Sequence, residues 1–269
     1  MFNTTTQSLM NKTIWISSLL LLMITLPSLK ALAETNDSVV EVRYTVTRNW
    51  LKMYEGVDYI SDQEKERYRY NFGNRRTTRT SNGLLYLNDT MSFYMDDPTP
   101  AAAGGFSTIR EPFLIQRNFA SMQIHDILSF QRNTLIIQDT LIMPTWKILN
   151  EIREIAGHIC MSASYTDTIR GQHVTAWFSL SYPSLAGPER HCGLPGLILG
   201  IDINNGALEI MATSIDTVPL TDQLTMPSRF DGRRIRGQEV TETEYRSSMQ
   251  EHFATQRRTG QYPFIGVRY

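Results

Sequence analysis

The sequence predicts a mainly β protein, with some helix: a single domain on a curved antiparallel sheet, half-barrel-like, carrying a C-terminal helix packed against it. Three observations point there. Period-two alternation of β-branched and aromatic residues recurs, an Asn-Gly pair separates two apolar runs, and a clear helical rhythm emerges only after residue 240. The 269 residues suit one ordinary domain, and 41% hydrophobic with 20% charged residues is a globular composition. Lys and Arg (26) nearly balance Asp and Glu (27), giving a net charge of −1. That balance argues against a nucleic-acid binder working by bulk positive charge.

Residues 1–33 read as a secretory signal. Lys12 supplies the positive start, and residues 14–26 form an uncharged run dominated by Leu, Ile and Met. Ala31-Leu32-Ala33 then puts small residues where a signal peptidase cuts, leaving Glu34 as the new N-terminus. The run has 13 residues, short of the roughly 20 that a spanning helix needs. Met10 is an alternative start that would give a signal of more usual length. Residues 34–269 are then one domain in the periplasm or beyond it, with no later transmembrane segment expected.

Residues 39–48 alternate, with Val40, Val42, Tyr44 and Val46 on one side and Glu41, Arg43, Thr45 and Thr47 on the other. This is the pattern of a half-buried strand. Residues 67–72 repeat it, with Tyr68, Tyr70 and Phe72 inward, after a polar stretch over 61–67 that reads as a loop or short helix. The basic run Arg75-Arg76-Thr77-Thr78-Arg79 reads as a solvated loop or edge strand rather than an anion site. Residues 97–105, with two prolines and two glycines, read as a long surface loop within the domain. Further strands are expected over 135–142, 152–164 and 174–182; in the last, Val174, Ala176, Phe178, Leu180 and Tyr182 share a face.

The sharpest local expectation is a hairpin. Residues 197–203 and 207–215 flank Asn205-Gly206, a pair suited to the positive φ angles of a type I′ turn. A two-residue loop there sets Ile203 opposite Leu208, Ile201 opposite Ile210 and Leu199 opposite Ala212, all on one apolar face. A one-residue slip would mix the faces. The same register opposes Asp202 and Glu209, which needs solvent, a neighbouring Arg or, less readily, a cation to relieve it. Later, Thr241 and Glu244 have capping-box spacing, and Val240 with Tyr245 could add a hydrophobic staple. Tyr245, Met249 and Phe253 then make one apolar stripe that ends before Gly260, read as a docking face.

Motifs that carry chemistry are scarce. None of the five histidines is followed by Glu, and there is no Gly-x-Ser-x-Gly, no phosphate loop and no Cys-x-x-Cys. No cofactor and no enzymatic activity are expected on that basis. Asp202-x-Asn204-x-Gly206 only faintly echoes a calcium loop. Cys160 and Cys192 should pair as a disulfide in an oxidising compartment if geometry permits. The alternative is a metal site of His158, Cys160, His191 and Cys192, a ligand set for zinc or a soft copper ion. A cysteine nucleophile with a His base is the third reading, and it requires a thiol kept reduced outside the cytosol.

One stretch carries a resemblance. In order it contains Trp146-Lys147-Ile148, Ile155-Ala156-Gly157-His158-Ile159-Cys160 with Ala163, Ala176-Trp177-Phe178, Pro183, Gly187-Pro188 and Gly193-Leu194-Pro195-Gly196-Leu197-Ile198. It resembles the GLPGLI family of secreted proteins, found chiefly in Bacteroidota. The resemblance implies export and a β-rich fold, and brings no established reaction. Physically, Leu194-Pro195-Gly196-Leu197 suits a type II turn, with Gly196 at positive φ, feeding the strand that follows. Trp177, alternating away from Phe178, is the candidate recognition residue. The expected function is a non-enzymatic envelope binding or accessory protein. Its apolar groove would hold a lipid-like ligand or a partner's segment, with outer-membrane assembly or uptake components as possible partners.

Overall fold

The computed structural model describes residues 38–73, 77–97, 111–262, 264 and 267–268. Residues 1–33, expected to be a secretory signal, together with Arg75, Arg76 and residues 98–105 of the Pro/Gly stretch, lie outside these. Twelve strands form one sheet. In chain order they are β1 (Ser38–Asn49), β2 (Thr78–Leu87), β3 (Met91–Asp96), β4 (Phe113–Asn118), β5 (Gln123–Phe130), β6 (Asn133–Thr140), β7 (Lys147–Ile155), β8 (His158–Asp167), β9 (Gln172–Ser179), β10 (Leu197–Ile203), β11 (Leu208–Pro219) and, after the small β12 (Arg229–Phe230) and β13 (Arg233–Arg234) ribbon, β14 (Gln238–Val240). The spatial order is β14-β6-β5-β4-β3-β2-β1-β11-β10-β9-β8-β7, so the sheet is open, with β14 and β7 at its edges. Every pairing is antiparallel except that of β14 with β6.

Helix α1 (Trp50–Glu55) and helix α2 (Asp62–Phe72) connect β1 to β2, and α3 (Glu242–Thr259) follows β14. The ring of Tyr245 on α3 lies 6.3 Å from that of Phe130 on β5, while its hydroxyl is 3.3 Å from Arg170 in the β8–β9 turn. In the spatial order β5 and β9 are seven places apart, about 34 Å in a flat sheet. One tyrosine can touch both only because the sheet curls around the helix. The main core fills this concave side, and Tyr245, Met249 and Phe253 enter it as the helical stripe predicts. A second, smaller cluster around Phe93, Leu114, Ile127 and Leu224 lies under the segment after β11.

Local chemistry accounts for most elements. The α3 capping box is formed, with Thr241 accepting from the Glu244 N–H, and Gly260 closes the helix at φ 65°. The β10–β11 register is as expected: Ile203 with Leu208, Asp202 with Glu209, Ile201 with Ile210. The turn itself is longer, spanning residues 204–207, with positive φ at Asn204, Asn205 and Gly206. Asp202 is relieved within the turn by accepting the Gly206 N–H at 2.7 Å, and Lys52 docks on the Asn205 carbonyl.

Four expectations are corrected. Residues 67–72 are helical: Ser61 and Glu64 form a capping box that starts α2, and Tyr68 and Phe72 meet at i,i+4 instead of pointing into a sheet. The 152–164 strand is two strands, since the chain reverses at Ala156 and Gly157 with φ 49° and 78°. Strand β9 stops at Ser179, leaving Leu180 exposed. In the hexapeptide it is Gly193, at φ 95°, that takes the left-handed conformation, and Gly196 does not. A Cβ on Gly196 would run into the Ser179 carbonyl, so this glycine serves close backbone approach rather than a type II turn. Leu194, Leu197 and Ile198 enter the core as expected.

Candidate ligand-binding cavity

The curl of the sheet shapes a half-open cavity of about 760 Å³. Its walls come from β4, β5, the β6–β7 connection with Lys147 at the start of β7, β8, β9, the β9–β10 connection, Ile203 of β10, α3, and Val267 and Arg268. One sector is apolar, with Phe113, Ile124, Leu128 and Phe130. The remainder mixes charged side chains with polar and apolar ones such as Thr166, Gln172, Met143 and Met249, so the concave face is not the uniformly apolar groove that strand alternation suggests.

Three ion-pair groups line it. Arg117 on β4 and Asp126 on β5 make a two-point pair, both buried; Arg190 also donates to Asp126 at 2.9 Å and continues to Glu242 on α3. Arg117 Nε has no hydrogen-bond partner among the described residues. The Arg190 guanidinium lies 4.9 Å over the Tyr245 ring, adding a cation–π contact. In the second group, Arg268 donates to Asp96 and Glu189 at 3.0 Å each and sits 3.5 Å over the Phe113 ring. Burial raises the Glu189 carboxyl despite Arg268 and Arg48 nearby. Glu189 also has φ 55°, a conformation that needs surrounding structure to hold it. The third is Arg170 with Asp167 at 2.8 Å in the β8–β9 turn; burial alone would raise the Asp167 carboxyl, but Arg170 and backbone N–H groups bring it below the ordinary value.

The β9–β10 connection delivers Glu189, Arg190 and His191 to the cavity together, through a turn closed by the His191 N–H on the Pro188 carbonyl. His191 Nδ1 lies 3.3 Å from the Tyr165 hydroxyl. Burial first, and Arg170 next, lower the His191 imidazole to about 4, so it is neutral near neutral pH.

The residues expected from sequence are distributed differently. Cys160 and Cys192 are both free thiols, buried, so the disulfide is not formed. Their surroundings explain it: the Cys160 thiol donates to its own strand's His158 carbonyl, whereas Cys192 lies beside Arg117, Arg190 and Asp126. Burial raises both, Cys160 to about 11. The alternative metal set does not assemble either. Among the described residues no three His, Cys, Asp or Glu side chains are grouped to hold a metal ion. His158 instead stacks edge-on against Tyr182. Trp177 is 8% exposed, packed over Gly200 with Arg153 5.2 Å above its ring, and it does not line the cavity. Sequence reasoning missed Arg117, Asp126, Arg190 and Glu242, which share no local motif. The usable signal was Arg117 and Asp126, charges placed inside otherwise apolar strand runs.

Among the described residues no helix is long and apolar enough to cross a membrane. No curated protein matches the chain. Two solved structures of PNGF-II, in P21 and C2 space groups, are similar at 16% and 15% identity with a TM-score of 0.47 each. They cover 79% and 80% of this chain, which spans about a third of theirs (33%). Over residues 168–200, which contain the β8–β9 turn, β9 and the Glu189–His191 turn, the chain is similar to a Bacteroidota-associated family described as a protein of unknown function (Porph_ging).

Proposed function

We propose that this chain is an exported, non-enzymatic binding or accessory protein of the cell envelope, of the GLPGLI type. It holds a lipid-like ligand or a segment of a partner, such as an outer-membrane assembly or uptake component, between α3 and the concave sheet. The observation that carries the reading is the half-open cavity of about 760 Å³ with an apolar sector and converging polar groups, a size and character suited to small-molecule binding. The uncharged run over residues 14–26 and Ala31-Leu32-Ala33 support export. Both thiols are held protonated by burial and His191 is held neutral against Tyr165, which favours binding over nucleophilic chemistry.

Native mass spectrometry of the protein isolated from the envelope tests this. The expected result is a chain beginning at Glu34 with a bound species of a few hundred daltons that organic extraction removes. A bare chain that also fails to bind an apolar dye would overturn the binding reading, and a chain retaining residues 1–33 in the cytosol would overturn export.

A further inference from the structure

We infer that the cavity takes an amphiphile bearing an anionic oxygen group, a carboxylate or phosphate, which is received where Arg170, Arg190 and Arg246 gather around the first turns of α3. This rests on the binding reading above and names the ligand class for that site. The argument begins with a charge count. On the α3 side, four cavity-lining guanidiniums, Arg117, Arg170, Arg190 and Arg246, face three carboxylates, Asp126, Asp167 and Glu242. The Arg268 group adds one guanidinium and two carboxylates, Asp96 and Glu189, at the other end of the cavity, so with Lys147 six cations face five carboxylates overall. Asp126 and Glu242 are already shared: Asp126 serves Arg117 and Arg190, and Glu242 serves Arg190 and, at 3.8 Å, Arg246. Arg246 is thus the loosely held cation, with a half-exposed side chain (53%). Asp139, just behind the helix start, is occupied by the N–H groups of Thr140 and Glu242 and does not line the cavity. Lys147, also on the cavity wall, makes no ion pair among the described residues and adds a further positive charge.

Burial is the main reason the His191 imidazole is lowered; Arg170 and Arg190 add to it and Asp167 opposes them. A site whose cations outnumber its carboxylates draws an anion, and guanidiniums fixed by ion pairs and by Tyr245 receive it without reorganising. The apolar sector of Phe113, Ile124, Leu128 and Phe130 shares the same cavity, so the anion comes attached to an apolar body.

The test uses the full-length secreted protein with Nile red, an uncharged dye, as reporter and four competitors: dodecanoate, dodecyl phosphate, dodecanol and inorganic phosphate. Dodecanoate and dodecyl phosphate should displace the dye at concentrations about tenfold below dodecanol, with inorganic phosphate ineffective, since a charge-assisted hydrogen bond is worth about that factor. Arg246→Gln, at a half-exposed residue, should cut this advantage about threefold and leave dodecanol unchanged. Equal displacement by dodecanol overturns the anionic group while the binding reading stands. Inorganic phosphate matching dodecyl phosphate overturns the amphiphile in favour of a free-anion site. Failure of Nile red and all competitors to bind overturns both readings.

Discussion

His191 is a useful residue with which to test the electrostatics of the cavity, because its shift is large and its causes are named. Burial and Arg170 lower the folded-state value to about 4, whereas the unfolded chain titrates near 6.5. As pH falls, the unfolded state takes up the proton first. The stability contributed by neutral His191 is therefore complete above about pH 6.5 and is lost between 6.5 and 4, at about 1.4 kcal/mol per pH unit. Urea denaturation across that window should lose up to about 3 kcal/mol in the wild type, and His191→Gln should be flatter by that amount. Glu189, whose carboxyl is raised chiefly by burial, contributes with the opposite sign, so the difference between the two proteins isolates the histidine. Identical pH profiles would show that the imidazole is solvated. The thiols make a second residue-level prediction. With Cys160 at about 11 and Cys192 raised as well, both by burial, neither should react with a thiol reagent in the native protein at pH 8, and both should react once unfolded. One or no thiol after unfolding without reductant would contradict the free, buried pair.

At the scale of elements, legibility followed where the determining contacts are local. Strand β1, the β10–β11 register and α3 could all be read, because alternation, an Asn-Gly pair and a capping box act within a few residues. Helix α2 was misread although Ser61 and Glu64 carry the same capping signal, because Tyr68, Tyr70 and Phe72 also alternate. The structure resolves the ambiguity by leaving Tyr70 87% exposed, an arrangement in which alternation has no buried face to serve. The two-strand nature of residues 152–164 was hidden because Ala156, at φ 49°, is not a residue that advertises a turn. For the hexapeptide, the glycines were assigned the wrong tasks, and the difference can be measured. Gly196→Ala meets the Ser179 backbone carbonyl, which cannot rotate away, and should cost about 3 kcal/mol. Gly171→Ala, at φ 66° in an open turn, should cost only about 1 kcal/mol of backbone strain. Equal losses in thermal melts would mean that the hexapeptide corner is looser than the close approach requires.

Across the whole molecule, the cavity was the least legible feature, since its separate ion pairs are brought together only when the sheet curls. Arg117 and Asp126 are partners across β4 and β5, Arg190 arrives from the β9–β10 connection, and Glu242 comes from the first turn of α3. No spacing in the sequence encodes such a meeting. A fully buried Asp126 between two guanidiniums therefore acts as a tie between sheet and connection, and through Arg190 to the helix. Its desolvation is offset by both guanidiniums, and Asp126 is the carboxylate that offsets the burial of Arg117, whereas Arg190 also has Glu242. Asp126→Asn keeps the shape and removes the charge, leaving Arg117 buried without its counter-ion, which should cost about 3–5 kcal/mol and lower the melting temperature by about 10 °C. Asp58→Asn is the matched control. It breaks the Arg257 pair, in which both side chains are more than half exposed (57% and 68%), and a surface pair contributes at most about 1 kcal/mol. If Asp126 anchors the curl, its variant should also lose Nile red binding at temperatures where circular dichroism still reports a folded sheet. The Asp58 variant should lose neither. Equal stability of the two variants would mean that the sheet holds its curvature by apolar packing alone, with the buried charges placed for a ligand rather than for the fold.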